Sequence, residues 1–308
     1  MKPLRTRLRL LVLAVALPLT CATAQNKTVV LKLSWVDAYK DKATIAADFI
    51  VDHAHAHPNP PSRDGDMHVA GRAPRHVGLP VVAEIMNAAG RAEAKAVALV
   101  HDSEGRGQTI PVTGAWRLWF EHPADSQVQF DEFPAAENTN PDHSFEIHPL
   151  THVGDKDVSE GFQFIANYQA KDARQAFASY EKLPVMIQSS SSAVTLSSTK
   201  SGFNYVEFSI RLIGKPDKLT DDGLVALADV YAGERDEDPI AEKIRMIFVP
   251  NTPPWKKLKQ AGAGDGSEFR VLGIPRVDLH GLALFIKAAG QTSVTRKLPY
   301  EMIVVGMK

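Results

Sequence analysis

The sequence predicts a mainly β protein: a small closed barrel of the oligonucleotide/oligosaccharide-binding (OB-like) type over residues 25–155, then a second β-rich (α+β) domain over residues 156–308. Three observations predict it. Short runs of β-branched and aromatic residues with period-two alternation recur along the chain, separated by Gly, Pro, Asn and Asp. In the first half these runs are irregularly spaced, with long excursions and room for one helix, the habit of a small barrel. Between the halves, residues 154–160 (GDKDVSE) form a short charged connector, and 308 residues give room for two domains. A content of 44% hydrophobic and 23% charged residues is that of a globular chain.

Residues 1–24 read as a secretory signal peptide. Lys2, Arg5, Arg7 and Arg9 precede an apolar run that ends at Leu19, and Ala22-Thr23-Ala24 is a small-x-small cleavage site. The run is too short to span a bilayer, and no later stretch is long enough. Pro18, Leu19 and Thr20 make a poor lipoprotein box before Cys21, so free export to the periplasm or medium is expected rather than a lipid anchor. Cleavage after Ala24 removes the sole cysteine, which leaves no disulfide and no thiolate ligand. A metal site must then use imidazole nitrogen and carboxylate oxygen, a donor set for zinc, manganese, iron, nickel or calcium.

The mature chain opens with a predicted strand over 28–36 (TVVLKLSWV), and 43–47 fits a strand or a short helix. The segment Asp52-His53-Ala54-His55-Ala56-His57 is closed by a rigid Pro58-Asn59-Pro60-Pro61 turn. Strands follow at 66–71, 80–86, 112–122 and 144–153, with an Ala-rich segment at 88–98 able to form a short helix and an acidic loop at 124–140. In the second half, strands are expected at 162–169, 184–187, 203–213, 223–231, 243–249, 269–274 and 293–305, and helices at 172–183 and 279–289. This half is a barrel or a sandwich. No exact internal repeat is visible.

Charge and histidine are unevenly placed. Residues 25–155 hold 11 basic against 18 acidic residues, whereas 156–308 hold 20 against 18. Ten of the 11 histidines fall between residues 53 and 152. An acidic surface attracts cations and repels phosphate backbones, so nucleic acid is an unfavoured partner.

The segment Asp64-Gly65-Asp66-Met67-His68 reads as the start of a strand. Alternation then puts Asp64, Asp66 and His68 on one face and Met67 and Val69 on the other. Phe145-Glu146-Ile147-His148-Pro149 repeats the pattern, with Glu146 and His148 together, and Glu84 shares a face with Val82 and Met86. Each motif alone is an ordinary polar strand end; two in one small barrel make a site. A cation would take Asp66, His68, Glu146 and His148 as ligands, leaving Asp64 or Glu84 to orient an imidazole or act as general base. His53, His55 and His57 share a face if extended, and are either an exposed loop or a secondary metal-capturing tract. Trp116, Trp119 and Phe120 read as core, with a stacking platform as the alternative.

Asp-Gly-Asp-Met-His followed by Phe-Glu-Ile-His-Pro resembles a family of uncharacterised exported bacterial OB-like barrels with an Asp-x-Asp-x-His strand and a closing Glu-x-His-Pro strand. The resemblance covers residues 28–153 and implies the barrel and the pairing of the motifs, not a reaction. A fainter similarity to staphylococcal-type nucleases rests on Asp64, Asp66 and Glu84. His68 stands where those enzymes have threonine, and the arginines that would neutralise a phosphorane are not found.

Three functions are therefore open. The leading one is an exported protein that binds a divalent metal, zinc or manganese, at the His/carboxylate cluster, with metal-dependent hydrolysis as the chemistry such a site could serve. The others are a non-catalytic cell-envelope binding or assembly module with an unknown ligand or envelope partner, and a nuclease-like phosphodiesterase. No nucleophile elbow, phosphate loop or dinucleotide fingerprint is present.

Overall fold

A computed structural model describes residues 26–219, 222–233 and 238–308. The predicted signal peptide, with Cys21, lies outside them. In the first half the elements are β1 (Lys27–Lys32), α1 (Leu33–Tyr39), β2 (Thr44–Ala54), β3 (Met67–Arg72), β4 (Pro80–Ile85), α2 (Ala94–Ser103), β5 (Thr109–His122), β6 (Ser126–Val128), β7 (His143–Val153) and β8 (Lys156–Asp157). The second half holds α3 (Ala173–Tyr180), β9 (Pro184–Ser189), β10 (Ala193–Ser198), β11 (Val206–Lys218), β12 (Leu224–Tyr231), β13 (Ala241–Phe248), α4 (Pro253–Gln260), β14 (Glu268–Val277), α5 (Leu279–Ala289), β15 (Thr292–Lys297) and β16 (Tyr300–Met307).

Strands β2, β3, β4, β7 and β5 close into a barrel. Its ladders are antiparallel except β4 with β7, which are parallel. This is the expected OB-like barrel, with α2 between its third and fourth strands. The second half holds another. Strands β11, β12, β13, β16 and β14 close in the same circular order, with one parallel ladder between third and fifth strands and α4 in the place of α2. A third sheet, in the order β15-β9-β10-β1-β6, takes strands from both sides of the 154–160 connector.

The two ladders also agree in register. Gly114 faces Ile45 as Gly273 faces Val206. Trp116, Arg117 and Leu118 face Ile147, Glu146 and Phe145, just as Pro275, Arg276 and Val277 face Met302, Glu301 and Tyr300. Ala83 pairs with Ile147 as Met246 pairs with Met302. The repeat is one of topology and register, and few side chains record it.

Four predicted elements are corrected. The loop expected over 124–140 contains β6, which pairs in parallel with β1. The strand expected over 28–36 ends at Lys32, and Leu33–Tyr39 is helical. That turn brings Trp35 and Val36 into the core together, and the Trp35 indole donates to the His76 carbonyl at 2.9 Å. Residues 162–169 are not a strand. The strand expected over 293–305 is two, β15 beside β9 and β16 in the barrel, parted at Leu298-Pro299, where proline has no N–H for a ladder.

The barrels meet through equivalent strands, β5 and β14, and the contact is reciprocal. Arg117 Nε donates to the Pro275 carbonyl at 2.9 Å, and Arg276 Nη1 donates to the Trp116 carbonyl at 3.1 Å. The Arg276 guanidinium also lies 3.5 Å from the centre of the Trp116 ring. A second exchange joins strand starts: Thr44 Oγ1 donates to Asp222 Oδ1 at 2.7 Å, and Tyr205 Oη donates to Asp66 Oδ2 at 2.6 Å. Met86, Ala115, Phe162, Ile165, Leu272, Ile274 and Ile303 fill an apolar cluster between them.

Candidate metal centre

Strand alternation builds the site on the outer face of the first barrel. Met67, Val69, Ile85, Phe145 and Ile147 belong to the main apolar core, so their neighbours point the other way. The ladder then fixes which polar groups meet. His68 stands opposite Glu84, Glu146 opposite Arg117 and Val82, and His148 lies two residues along from Glu146. Asp66 arrives from the turn before β3. Gly65 has φ +74°, which glycine adopts without a Cβ clash. Asp64 Oδ1 accepts from the Asn59 amide at 2.8 Å and from the Asp66 backbone N–H at 3.1 Å, an Asx turn that sends Asp66 inward.

The result is a convergence of donors. Ligand atoms of Asp66, Glu84 and His148 lie within 4.8 Å of one another, the one such group of three among the described residues. His148 Nε2 is 3.5 Å from Asp66 Oδ2 and 3.7 Å from Glu84 Oε2. Ligands about 2.0–2.2 Å from one ion stand about 3–3.5 Å apart, so small shifts would seat a cation. Asp66 Oδ1 is buried with no hydrogen-bond partner, and so is His68 Nδ1. A buried acceptor without a partner is expensive, and an ion would satisfy it. This group can hold a metal ion.

Around the donors lies a layer that holds them. His148 Nδ1 is 3.2 Å from Glu146 Oε2, which orients the ring and leaves Nε2 facing the acids. Glu146 is itself held by Arg117 Nη1 at 2.5 Å and His143 Nε2 at 3.3 Å. Arg117 has no exposed side-chain surface and reaches Glu121 as well, at 2.8 Å. From the second barrel, Tyr205 Oη lies 2.8 Å from His148 Nε2 while donating to Asp66. Tyr205 has φ +47°, uncommon for a bulky residue, and its ring packs edge-on against Tyr168 at 5.7 Å.

The electrostatics divide the acids into two kinds. Burial raises the Asp66 and Glu84 carboxyls, Glu84 well above its usual value, against the pull of His148. Glu146 suffers the same burial, but the Arg117 charge and the bonds from His143 and His148 outweigh it and hold this carboxyl well below the usual range. Burial alone would depress His148; Glu84, Asp66 and Glu146 together lift it well above 6.5. His68 is pushed down to about 3 by burial and by His55 and His148. Glu146 is thus a paired carboxylate, and Asp66 and Glu84 are acids that await a cation or a proton.

No family model, curated protein or solved structure matches this chain. The centre is assigned on its own geometry, residue by residue. Of the predicted ligands, Asp66 and His148 enter the group of three, and Glu84, predicted as a base or orienting acid, joins them. His68 Nε2 approaches Glu84 Oε2 at 3.3 Å from the edge of the group. Glu146 lies behind His148, and Asp64 caps its turn.

The His53-x-His55-x-His57 tract does not act as one unit. Asp52 is bridged to Arg72 at 2.8 Å, and the β2 register shifts between Val51 and His53. His53 Nδ1 then lies 3.6 Å from Glu104 Oε1 with 45% of its side chain exposed. His55 instead stacks on His68 at 4.6 Å, and His57 lies beyond the end of β2. Trp116, Trp119 and Phe120 are core, at 0–2% exposure.

Sequence reasoning missed Arg117, His143 and Tyr205. Arg117 left a signal: an arginine inside the apolar run GAWRLWF needs a carboxylate to be buried. Tyr205 left none, because it comes from 139 residues beyond Asp66.

Proposed function

We propose that the chain is an exported metal-binding protein whose Asp66–Glu84–His148 centre holds one divalent cation, zinc or manganese, at the junction of two barrels. The observation that carries this is the convergence of three buried donors beside the unpartnered Asp66 Oδ1. Burial of Asp66 (1% exposed) and His148 (0%) suits an ion that is held rather than a substrate turned over, as in a binding or assembly module of the cell envelope. The hydrolytic reading has one feature in its favour: His68, with 13% of its side chain exposed, gives Glu84 an edge toward solvent. The nuclease-like reading needs both aspartates of Asp64-Gly65-Asp66 on one ion, and Asp64 is committed to its turn.

Elemental analysis of protein purified from its native compartment should find about one ion per chain, lost in His148→Ala. Added zinc or manganese at a hundred times Kd should stabilise the wild type by about 2.7 kcal/mol. The effect should weaken toward acid, because protons on Asp66, Glu84 and His148 compete with the ion. Protein with no bound metal and no thermal response to either ion would end this reading. Ester or phosphoester hydrolysis that disappears with the ion would decide for the hydrolase, and an exported chain beginning at Gln25 would establish the signal.

A further inference from the structure

The third sheet has two outer edges, and they are not alike. β15 forms one and carries Arg296 and Lys297, the kind of charge that keeps an edge from pairing with other chains. β6 forms the other, and Ser126-Gln127-Val128 carries no charge. Its ladder with β1 is parallel: the Thr28 N–H donates to the Asp125 carbonyl at 3.2 Å, and the Gln129 N–H donates to the Val30 carbonyl at 2.9 Å. Backbone groups alternate sides along such a strand, so residues 125, 127 and 129 serve β1. The N–H and C=O of the exposed Ser126 then point to the open side, where β6 has no neighbouring strand.

Beside that edge is a cavity of about 530 Å³. It is lined by Ser126 and Gln127 of the edge, by Gly71 and Pro80 of the first barrel, and by Phe133 and Pro141 of the loop over 129–142. Ligand clefts are commonly of this size, largely apolar with a few polar groups. The surroundings are acidic. Glu137 and Asp142 line the cavity, and Asp131 and Glu132 line an adjoining one that shares Arg72 and Phe133. All four acids are exposed and have no ion pair among the described residues. The cation of this lining, Arg72, is already bridged to Asp52 at 2.8 Å.

We propose that β6 and this cleft dock an extended peptide of basic and apolar side chains, added to the sheet as a strand beside Ser126. Ser126 donates its N–H and accepts at its carbonyl, which supplies the main-chain pairing of strand addition. Apolar side chains of the peptide enter the cleft, and its lysines or arginines meet the four acids. A second copy of this chain is a poorer occupant, because pairing β6 with β6 brings the same acids together. The surface shares no residue with the Asp66–Glu84–His148 centre and does not depend on an ion.

Full-length mature chain is titrated into a fluorescein-labelled hexapeptide that alternates lysine and valine, and anisotropy is read. The expected result is saturable binding that weakens as salt is raised and disappears when glutamate replaces the lysines. N-methylation of the amide that faces β6 should cost about fivefold in affinity, the equivalent of one hydrogen bond, and methylation of the next amide nothing. Ser126→Pro removes the outward N–H, leaves residues 125, 127 and 129 bonded to β1, and should also lose about fivefold. Glu137→Gln with Asp142→Asn should weaken binding by roughly threefold and flatten its salt dependence. The methylated peptides give the answer on the wild type if Ser126→Pro fails to fold. Binding that ignores which amide is methylated, equal affinity for the glutamate peptide, or no binding would overturn the proposal. A wild type that dimerises in ultracentrifugation and becomes monomeric as Ser126→Pro would also overturn it, and give the edge to a second copy.

Discussion

In the second barrel Glu301 lies between two arginines, Arg276 at 2.7 Å and Arg245 at 2.9 Å, with Asp278 3.6 Å from Arg245. In the first barrel the matching glutamate, Glu146, has one arginine, and Val82 holds the place of Arg245. The same registers place Asp66, His68, Glu84 and His148 where the second barrel has Gly223, Val225, Ile247 and Ile303. One frame thus closes with a glycine and three aliphatic side chains at the positions where the other places two acids and two imidazoles. A fold that closes without these groups does not need them for closure, which leaves them free to hold an ion. The second barrel also shows what a structural ion cluster looks like here: two acids and two arginines, whose one buried unpartnered atom is the donor Arg245 Nη2 rather than a carboxylate oxygen.

The largest expected effect tests that contrast directly. Arg117→Ala leaves Glu146 as a buried carboxylate whose remaining partners are histidines, and should cost about 3–5 kcal/mol in denaturant unfolding. Arg276→Ala leaves Glu301 with Arg245 and should cost less. Equal losses would mean that the two clusters are held in the same way, against the difference in charge balance.

Next in size is a transplant. Glu84→Ile with His148→Ile gives the first barrel the second barrel's residues. Removing both halves of a buried polar pair in favour of well-packed apolar groups is neutral or stabilising by about 1–4 kcal/mol, so the metal-free variant should be at least as stable as wild type. It should bind no ion. A double variant that unfolds as readily as Arg117→Ala would make the cluster a structural element and remove its functional meaning.

Much of this frame was legible in the sequence. Alternation put His68 with Asp66 and Glu146 with His148, and polar groups on otherwise apolar strands pointed to a site. What the sequence could not reveal has physical causes. Whether a carboxylate ligates or orients depends on the cation beside it, and the sequence of the 112–122 strand does not show that Arg117 stands opposite Glu146. Asp64 and Asp66 are separated by one left-handed glycine, a backbone fact that alternation over an assumed strand conceals. The sequence of the second half fits a barrel or a sandwich because a repeat of register needs few shared residues: Gly114 and Gly273, Arg117 and Arg276, Glu146 and Glu301.

A smaller effect probes the second barrel's balance. Burial, and then the nearby Glu301, push the Asp278 carboxyl up to about 6 from 3.8, although it caps α5 by accepting from the Gly281 N–H at 2.9 Å. A raised acid is favourable below its unfolded value and unfavourable above its folded one, so this group's contribution is lost as pH rises from about 4 to 6. Asparagine caps as well as aspartate and does not ionise. Asp278→Asn should therefore gain about 2–3 kcal/mol at pH 8 and nothing near pH 3, read as the difference between two thermal unfolding profiles. A gain independent of pH would show that packing, not charge, is responsible.

The smallest effect separates the two reciprocal ties between the barrels. Thr44→Val removes the hydroxyl bond to Asp222 but leaves the Thr44 backbone N–H donating to the same carboxylate at 2.7 Å. The loss should be about 1 kcal/mol, with metal uptake unchanged. Its counterpart, the Tyr205–Asp66 tie, lies inside the donor group, and there the same kind of deletion touches a donor residue. If Thr44→Val also altered metal affinity, the centre would be sensing the packing of the whole interface, and the distinction between a tie that only joins the barrels and a tie that serves the site would fail.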